Sequence, residues 1–272
     1  MASVRHYHHH YRFSYETSLK KHFSLTVLVT MALVGLFLVL FHFIYPSRQL
    51  IQTNQITAGD LLQASIATLW RLTIAYLLSV VLAVPLALLI TKNARFERIL
   101  LPVFDIIQSV PVLAFFPVIV LIFVKVNFFD GAAIFVIFMA MLWNIVFSMI
   151  GGLKTIPADI EAVSFVFKSK GLRKLISITL PAVLPYIITG SLLAWGQGWN
   201  ILIVAEVLHN YIPGGNPSQD LYGLGSLLVN ASYRGQSFVF LCALIAMIIL
   251  IGFMNFFIWQ RLLRAAERYK FD

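Results

Sequence analysis

LLQASIATLWRLTIAYLLSVVLAVPLALLI, residues 61–90, carries a single charge, Arg71. A helix of about 20 apolar residues crosses the hydrocarbon core of a bilayer, so this stretch is long enough to span one. A transmembrane barrel strand would alternate polar and apolar residues over about 10 positions, and this stretch does not. Lipid offers no partner to exposed backbone N–H and C=O groups, which leaves the helix. Further apolar runs lie at 25–45, 101–125, 130–150, 180–205 and 237–259, with the quoted stretch read as a span over 65–91. The chain therefore reads as an all-α polytopic membrane protein of six transmembrane helices. Pro85, Pro111, Pro117 and Pro185 fall in or beside the spans and mark kinks or breaks.

Composition agrees. Hydrophobic residues make up 60% of the chain and charged residues 11%, against about 25% charged in soluble domains. The one cysteine, Cys242, excludes an internal disulfide framework and a Cys-based zinc site. The first run is longer than the ~7–15 apolar residues of a signal-peptide core and is read as a true helix.

The net charge of +9 is informative through its placement. One set of segments holds Arg5, Arg12, Lys20 and Lys21, then Lys92, Arg95 and Arg98, then Lys154, Lys168, Lys170, Arg173 and Lys174, then Arg261, Arg264, Arg268 and Lys270. The alternate segments hold only Arg48, Lys125 and Arg234. Lys and Arg collect on the cytoplasmic side, so both termini are expected there. The expected organisation is a cytoplasmic tail over 1–24, a first helix over 25–45, a core over 60–260 and a basic cytoplasmic tail over 261–272 that continues the sixth helix. The outer segment 206–236, with Pro213, Gly214, Gly215, Asn216 and Pro217, reads as turns with room for a short helix or a partner-facing surface.

The internal loop 151–179 runs, with the start of the next span, GGLKTIPADIEAVSFVFKSKGLRKLISITLPAVLP. Pro157 suits a helix's first turn, and Asp159 and Glu161 suit its positive end. Lys168, Lys170, Arg173 and Lys174 follow at the negative end. Ile160, Val163 and Phe167 share one face. A short helix over 157–174 with an apolar face needs a cover, either the membrane surface or a cytoplasmic partner.

Glu161-Ala162, then Gly171, then Ile178-Thr179-Leu180-Pro181 resemble the EAA loop of binding-protein-dependent ABC importer permeases. The resemblance extends over about residues 60–270. Residues 61–90 resemble the family's second helix, DIIQSVPVLAFFPVIVLIF (105–123) its third, and LPYIITGSLLAWGQGWNILIVAEVL (184–208) its fifth. These features look most like the nitrate/sulfonate/taurine/bicarbonate branch. Phe167 stands where the family usually has glycine, so Lys168 or Gly171 takes the turn. The resemblance implies a type I importer permease at the bacterial inner membrane, with a coupling helix gripped by a separate ATPase. It assigns ATPase coupling to Asp159, Glu161, Ala162, Lys168, Gly171, Leu180 and Pro181. It also implies a second permease copy or sister subunit, a substrate-binding protein outside, and a small oxyanion or sulfonate as cargo. The phosphate-cradling pattern G-x-x-x-x-G-K-[ST] is absent from the sequence, so ATP is expected on another chain and no cofactor or catalytic residue on this one.

Polar residues inside spans are costly and usually face a bundle interior or an aqueous path. Gln108 and Ser109 before Pro111, Gln197 and Asn200, and Glu206 at the outer end of the fifth span are the candidates for a translocation pathway. Asp105 reads as interfacial and Arg71 as an arginine snorkelling to the membrane surface. The run His6-Tyr7-His8-His9-His10 has no acidic or cysteine ligand near it and is not read as a metal site. A secondary transporter or channel would show matched broken helices or a charged relay, and a membrane enzyme a catalytic cluster. Neither pattern stands out.

Overall fold

The computed structural model describes residues 56–91, 93–157, 159–160 and 171–269. The first predicted span, the His-rich tail and the coupling residues Glu161, Ala162 and Lys168 lie outside the described residues. Among the described residues there are helices and turns and no strand.

Helix α1 (Ala58–Thr91) opens on a capping box. The Thr57 hydroxyl donates to Asp60 Oδ2 at 2.7 Å and accepts from the Asp60 N–H at 3.2 Å, while the Thr57 N–H donates to the same carboxylate at 2.9 Å. Its buried face is a row at four-residue spacing, Ala67, Arg71, Ala75, Ser79, Ala83 and Ala87, small at every position but Arg71. Such a row is a ridge that lets a neighbouring backbone come close. Lipid tails are as apolar as leucine, so this contact, rather than hydrophobic transfer, holds membrane helices together.

The predicted span at 101–125 is broken. Helix α2 (Ala94–Ser109) and helix α3 (Phe116–Lys125) replace it. Pro111 removes a backbone donor and pushes Val110 to φ −75°, ψ 123°, out of the helical region. A single 3₁₀ turn, Val112–Ala114, separates the two helices, and Pro117 sits in the first turn of α3. No residue of α2 is buried.

Helix α4 (Phe129–Lys154) is the central element, buried along most of its length between α1 and α5. Helix α5 (Leu175–Ala205) begins with a π-helical stretch, Leu175–Thr179, before Pro181. A short helix α6 (Leu224–Tyr233) follows within the segment 206–236. Helix α7 (Ser237–Tyr269) is mostly exposed, carries a π-turn at Asn255–Trp259 and continues from the apolar run 237–259 into the basic tail. α1, α4, α5 and α7 are long and apolar enough to cross a membrane.

The antiparallel pair α4/α5 meets at three levels, where Gly152 lies on Tyr186, Gly190 on Ser148, and Gly198 on Met141. A Cβ on Gly190 would stand 2.6 Å from Ser148 Cβ and 2.9 Å from the Asn144 carbonyl oxygen. Gly190→Val is expected to destabilise the bundle by about 1–3 kcal/mol through overpacking. Gly252→Val, where the added atoms enter open space, is expected to change little. Thermal unfolding of the purified chain in detergent checks both. Across the core, Tyr76, Trp195 and Trp259 form a cluster with ring centroids 5.8–5.9 Å apart, joining α1, α5 and the π-turn of α7. The Trp195 Nε1–H is buried there without a hydrogen-bond partner among the described residues.

Candidate functional site

Arg71 does not snorkel. It is 5% exposed, and its guanidinium is enclosed by groups from three elements. Nε donates to Asp130 Oδ1 at 2.6 Å, and Nη1 donates to Glu206 Oε1 at 2.7 Å and to the Tyr222 carbonyl at 3.0 Å. Asp130 is in the first turn of α4, and Glu206 directly follows α5. The start of α4, the end of α5 and a point inside α1 therefore share one level.

That level lies one bilayer-core length from the far end of α1. From Arg71 to Thr91 helix α1 rises about 30 Å, the thickness of a hydrocarbon core. The turns before Arg71 project beyond the ends of α4 and α5 and are covered by the segment 206–236. The Tyr222 hydroxyl donates to the Asp60 carbonyl at 2.8 Å in that projecting part.

Glu206 is fully buried, and both carboxylate oxygens are engaged. Oε1 takes Arg71 and the Thr68 hydroxyl, the latter at 2.8 Å. Oε2 accepts from the Gly225 N–H at 2.8 Å and the Ser226 N–H at 3.4 Å. These are first-turn donors of α6, where a negative charge meets the helix dipole favourably. The Thr68 hydroxyl also accepts from the Leu224 N–H at 2.9 Å. Gly223 and Gly225 crowd the carboxylate so closely that a side chain at either would meet it.

A second carboxylate, Asp220, orders the turns leading to α6. It is 2% exposed and accepts from the His209 N–H at 3.0 Å and from Asn230 Nδ2 at 3.0 Å. His209 Nδ1 lies 2.8 Å from its Oδ1. Tyr211 packs against Phe116 of α3 at a centroid distance of 4.6 Å. Partial burial, and secondarily the nearby Tyr233, push its phenol above the ordinary range.

The pathway candidates occupy two places. Gln108 and Ser109 are exposed on α2, immediately before the break. Gln108 Nε2 donates to Asp105 Oδ1 at 2.8 Å, and the Ser109 hydroxyl to the Asp105 carbonyl at 2.7 Å. Gln197 and Asn200 are exposed on α5 and share a face with Leu193 and Gly196. Glu206 differs from all four, being enclosed within the chain. Of the coupling candidates, Asp159 and Gly171 are exposed, and Leu180 and Pro181 are half-buried at the start of α5. Gly171 has φ +58°, a left-handed turn position that glycine adopts without strain. Among the described residues, Glu97 of α2 and Lys154 of α4 form an ion pair at the end of the bundle opposite Arg71.

Sequence reasoning missed Thr68, Asp130, Asp220 and Tyr222. For Asp130 a signal existed: an arginine inside an apolar span requires a counter-charge, and Asp130 opens the span that returns from the same side.

The sequence is similar to several transport permeases. A nitrate import permease protein, NrtB, of Leptolyngbya laminosa is 33% identical over 160 residues, 59% of this chain and 56% of the relative. A bicarbonate transport system permease protein, CmpB, of Synechococcus elongatus is 31% identical over 150 residues, 55% of this chain and 53% of the relative. The match thus spans about half the length of these curated relatives. A putative ABC transporter permease protein of Methanocaldococcus jannaschii is 26% identical over 217 residues, 76% of each chain. Residues 79–268 match the binding-protein-dependent transport system inner membrane component family. With four membrane-length helices among the described residues and that match across most of its length, the chain belongs to this family of ABC transporter permeases, a non-enzymatic, multi-pass membrane subunit.

Proposed function

We propose that this chain forms the translocation pathway of an ABC importer, with a second permease copy or sister subunit completing it. A binding protein delivers a small oxyanion, of the nitrate or bicarbonate class, to the end marked by Arg71. A separate ATPase grips the segment 157–174 at the opposite end. The carrying observation is exposed polar surface in two places: Asp105, Gln108 and Ser109 at the C-terminal end of α2, and Gln197 and Asn200 on the apolar α5. Such groups are costly against lipid, which favours their facing water or another subunit. The cargo class rests on the nitrate and bicarbonate permeases among the relatives. Arg71 is not offered as the anion's ligand, because two carboxylates already occupy it.

Mechanically, ATP-driven closure of the ATPase pair moves the coupling segment, and each state is favoured by different contacts. The positive φ of Gly171 supports a turn between that segment and α5. The charge distribution supports a cytoplasmic location for both termini. A reporter fused after Asp272 is expected to read cytoplasmic, and an external signal would reverse the orientation. The broader test is purification of the native complex from membranes with identification of its subunits. Recovery of a nucleotide-binding subunit supports the reading. A complex lacking any ATPase favours a transporter or channel that runs without one.

A further inference from the structure

The geometry points to Thr68 and Arg71 as positioning residues for transport: through Glu206 they lock the start of α6 to the helix bundle, so that the outer segment 206–236 and the core α1/α4/α5 move as one body. This rests on the proposed import function and adds a division between rigid and moving parts.

The first turn of a helix is where its backbone donors lack partners. In α6 they are bonded to buried side chains from outside the helix. The Leu224 N–H goes to Thr68 of α1, and the Gly225 and Ser226 N–H groups go to Glu206 at the end of α5. Thr68 is fully buried, and its hydroxyl serves both sides, donating to Glu206 and accepting from Leu224. The Arg71 guanidinium fixes the same carboxylate and reaches the Tyr222 carbonyl two residues before α6. Lifting α6 away would leave its first-turn backbone donors unpaired and strip the buried Glu206 carboxylate of two N–H partners together, in a site with little water. Each is among the more costly events in a protein interior.

The bundle is not held this way everywhere. Helix α2 buries no residue, and the helical ladder is interrupted between α2 and α3 at Pro111. The contrast assigns relative motion to the stretch 110–115 and rigidity to the Thr68–Arg71–Glu206 cluster. A force applied to the outer segment then reaches α1, α4 and α5 without slack.

Thr68→Val tests this because it keeps shape and leaves every charge paired while removing both hydroxyl bonds. Thr68→Ser keeps the hydroxyl. The first measurement is hydrogen exchange of the Leu224, Gly225 and Ser226 amides in the complete complex in lipid discs, without nucleotide and with ATP trapped. Expected are equal, strong protection in both states for the parent, about ten-fold faster exchange in Thr68→Val, and parental behaviour in Thr68→Ser. Loss of protection in one nucleotide state of the parent would overturn the proposal, because the clamp would then open during the cycle. The second measurement is solute moved per ATP hydrolysed in proteoliposomes. Expected is a fall of about ten-fold in Thr68→Val complexes that assemble and hydrolyse ATP, with recovery in Thr68→Ser. An unchanged ratio in Thr68→Val would also overturn it. A parent complex that moves no solute with ATP would refute the import function instead, and the exchange measurement would still decide the clamp.

Discussion

An Arg71→Gln variant is expected to be nearly absent from the membrane fraction, whereas Asp130→Asn is recovered in reduced but substantial amount. The arginine neutralises Asp130 and Glu206 at 2.6 and 2.7 Å, and both acids are almost wholly buried. Removing it strands two carboxylates in a low-dielectric site. Breaking a buried pair from one side costs about 3–5 kcal/mol, a large share of a typical folding stability of about 5–15 kcal/mol. Asp130→Asn leaves the Arg71–Glu206 pair intact. A double variant, Arg71→Gln with Glu206→Gln, should recover part of the loss, because one stranded charge is removed with the arginine. Membrane abundance of full-length protein and the unfolding midpoint in detergent measure all three. Parental abundance of Arg71→Gln would show that the cluster does not hold the fold.

The second large effect is expected at the opposite end. Gly171→Val should leave insertion and ATP hydrolysis in place and lower solute moved per ATP by ten-fold or more, given the proposed coupling role. The position has φ +58° and open space where a Cβ would stand. The disturbance is therefore in the backbone: a β-branched residue resists the left-handed conformation, at about 1–2 kcal/mol. Relief of that strain would re-aim the segment before α5. Gly171→Asn, which tolerates the conformation better, should keep most of the coupling. Glu161→Lys, a charge reversal in the same segment, should behave like Gly171→Val. Normal coupled uptake in Gly171→Val and Glu161→Lys would separate this segment from force transmission.

Much of the fold was legible because lipid imposes one simple rule. Helix is the accessible spanning form for a chain this apolar, and the long runs around 61–90, 130–150, 180–205 and 237–259 became α1, α4, α5 and α7. The run 101–125 divides at Pro111, one of the prolines read as marking kinks or breaks; hydropathy alone does not show it, because the effect is on the backbone of Val110 and on a missing donor. The starts of α1 and α5 were set too late, because turns outside the hydrocarbon need not be apolar and are held by Thr57–Asp60 capping in one case and a π-helical stretch in the other.

The site divides the same way. Gln108, Ser109, Gln197 and Asn200 stood out because amides and hydroxyls are conspicuous in apolar runs. Arg71 stood out too, but its role depends on residues 59 and 135 positions away, a separation no local pattern carries. Thr68 is invisible in sequence, since a threonine in a membrane helix ordinarily bonds its own backbone, as Thr73 does to Leu69 at 2.7 Å. Its bond to the start of α6 is a tertiary fact.

The import function is tested most directly by rebuilding transport from purified parts. The permease, the ATPase that co-purifies with it and the binding protein would be reconstituted in proteoliposomes, and uptake of labelled nitrate and bicarbonate measured. Accumulation that requires both ATP on the ATPase side and binding protein on the other is expected for at least one of the two anions. Equal movement without nucleotide, or ATP hydrolysis that never drives accumulation of either anion or of a solute shown to bind the binding protein, would contradict it.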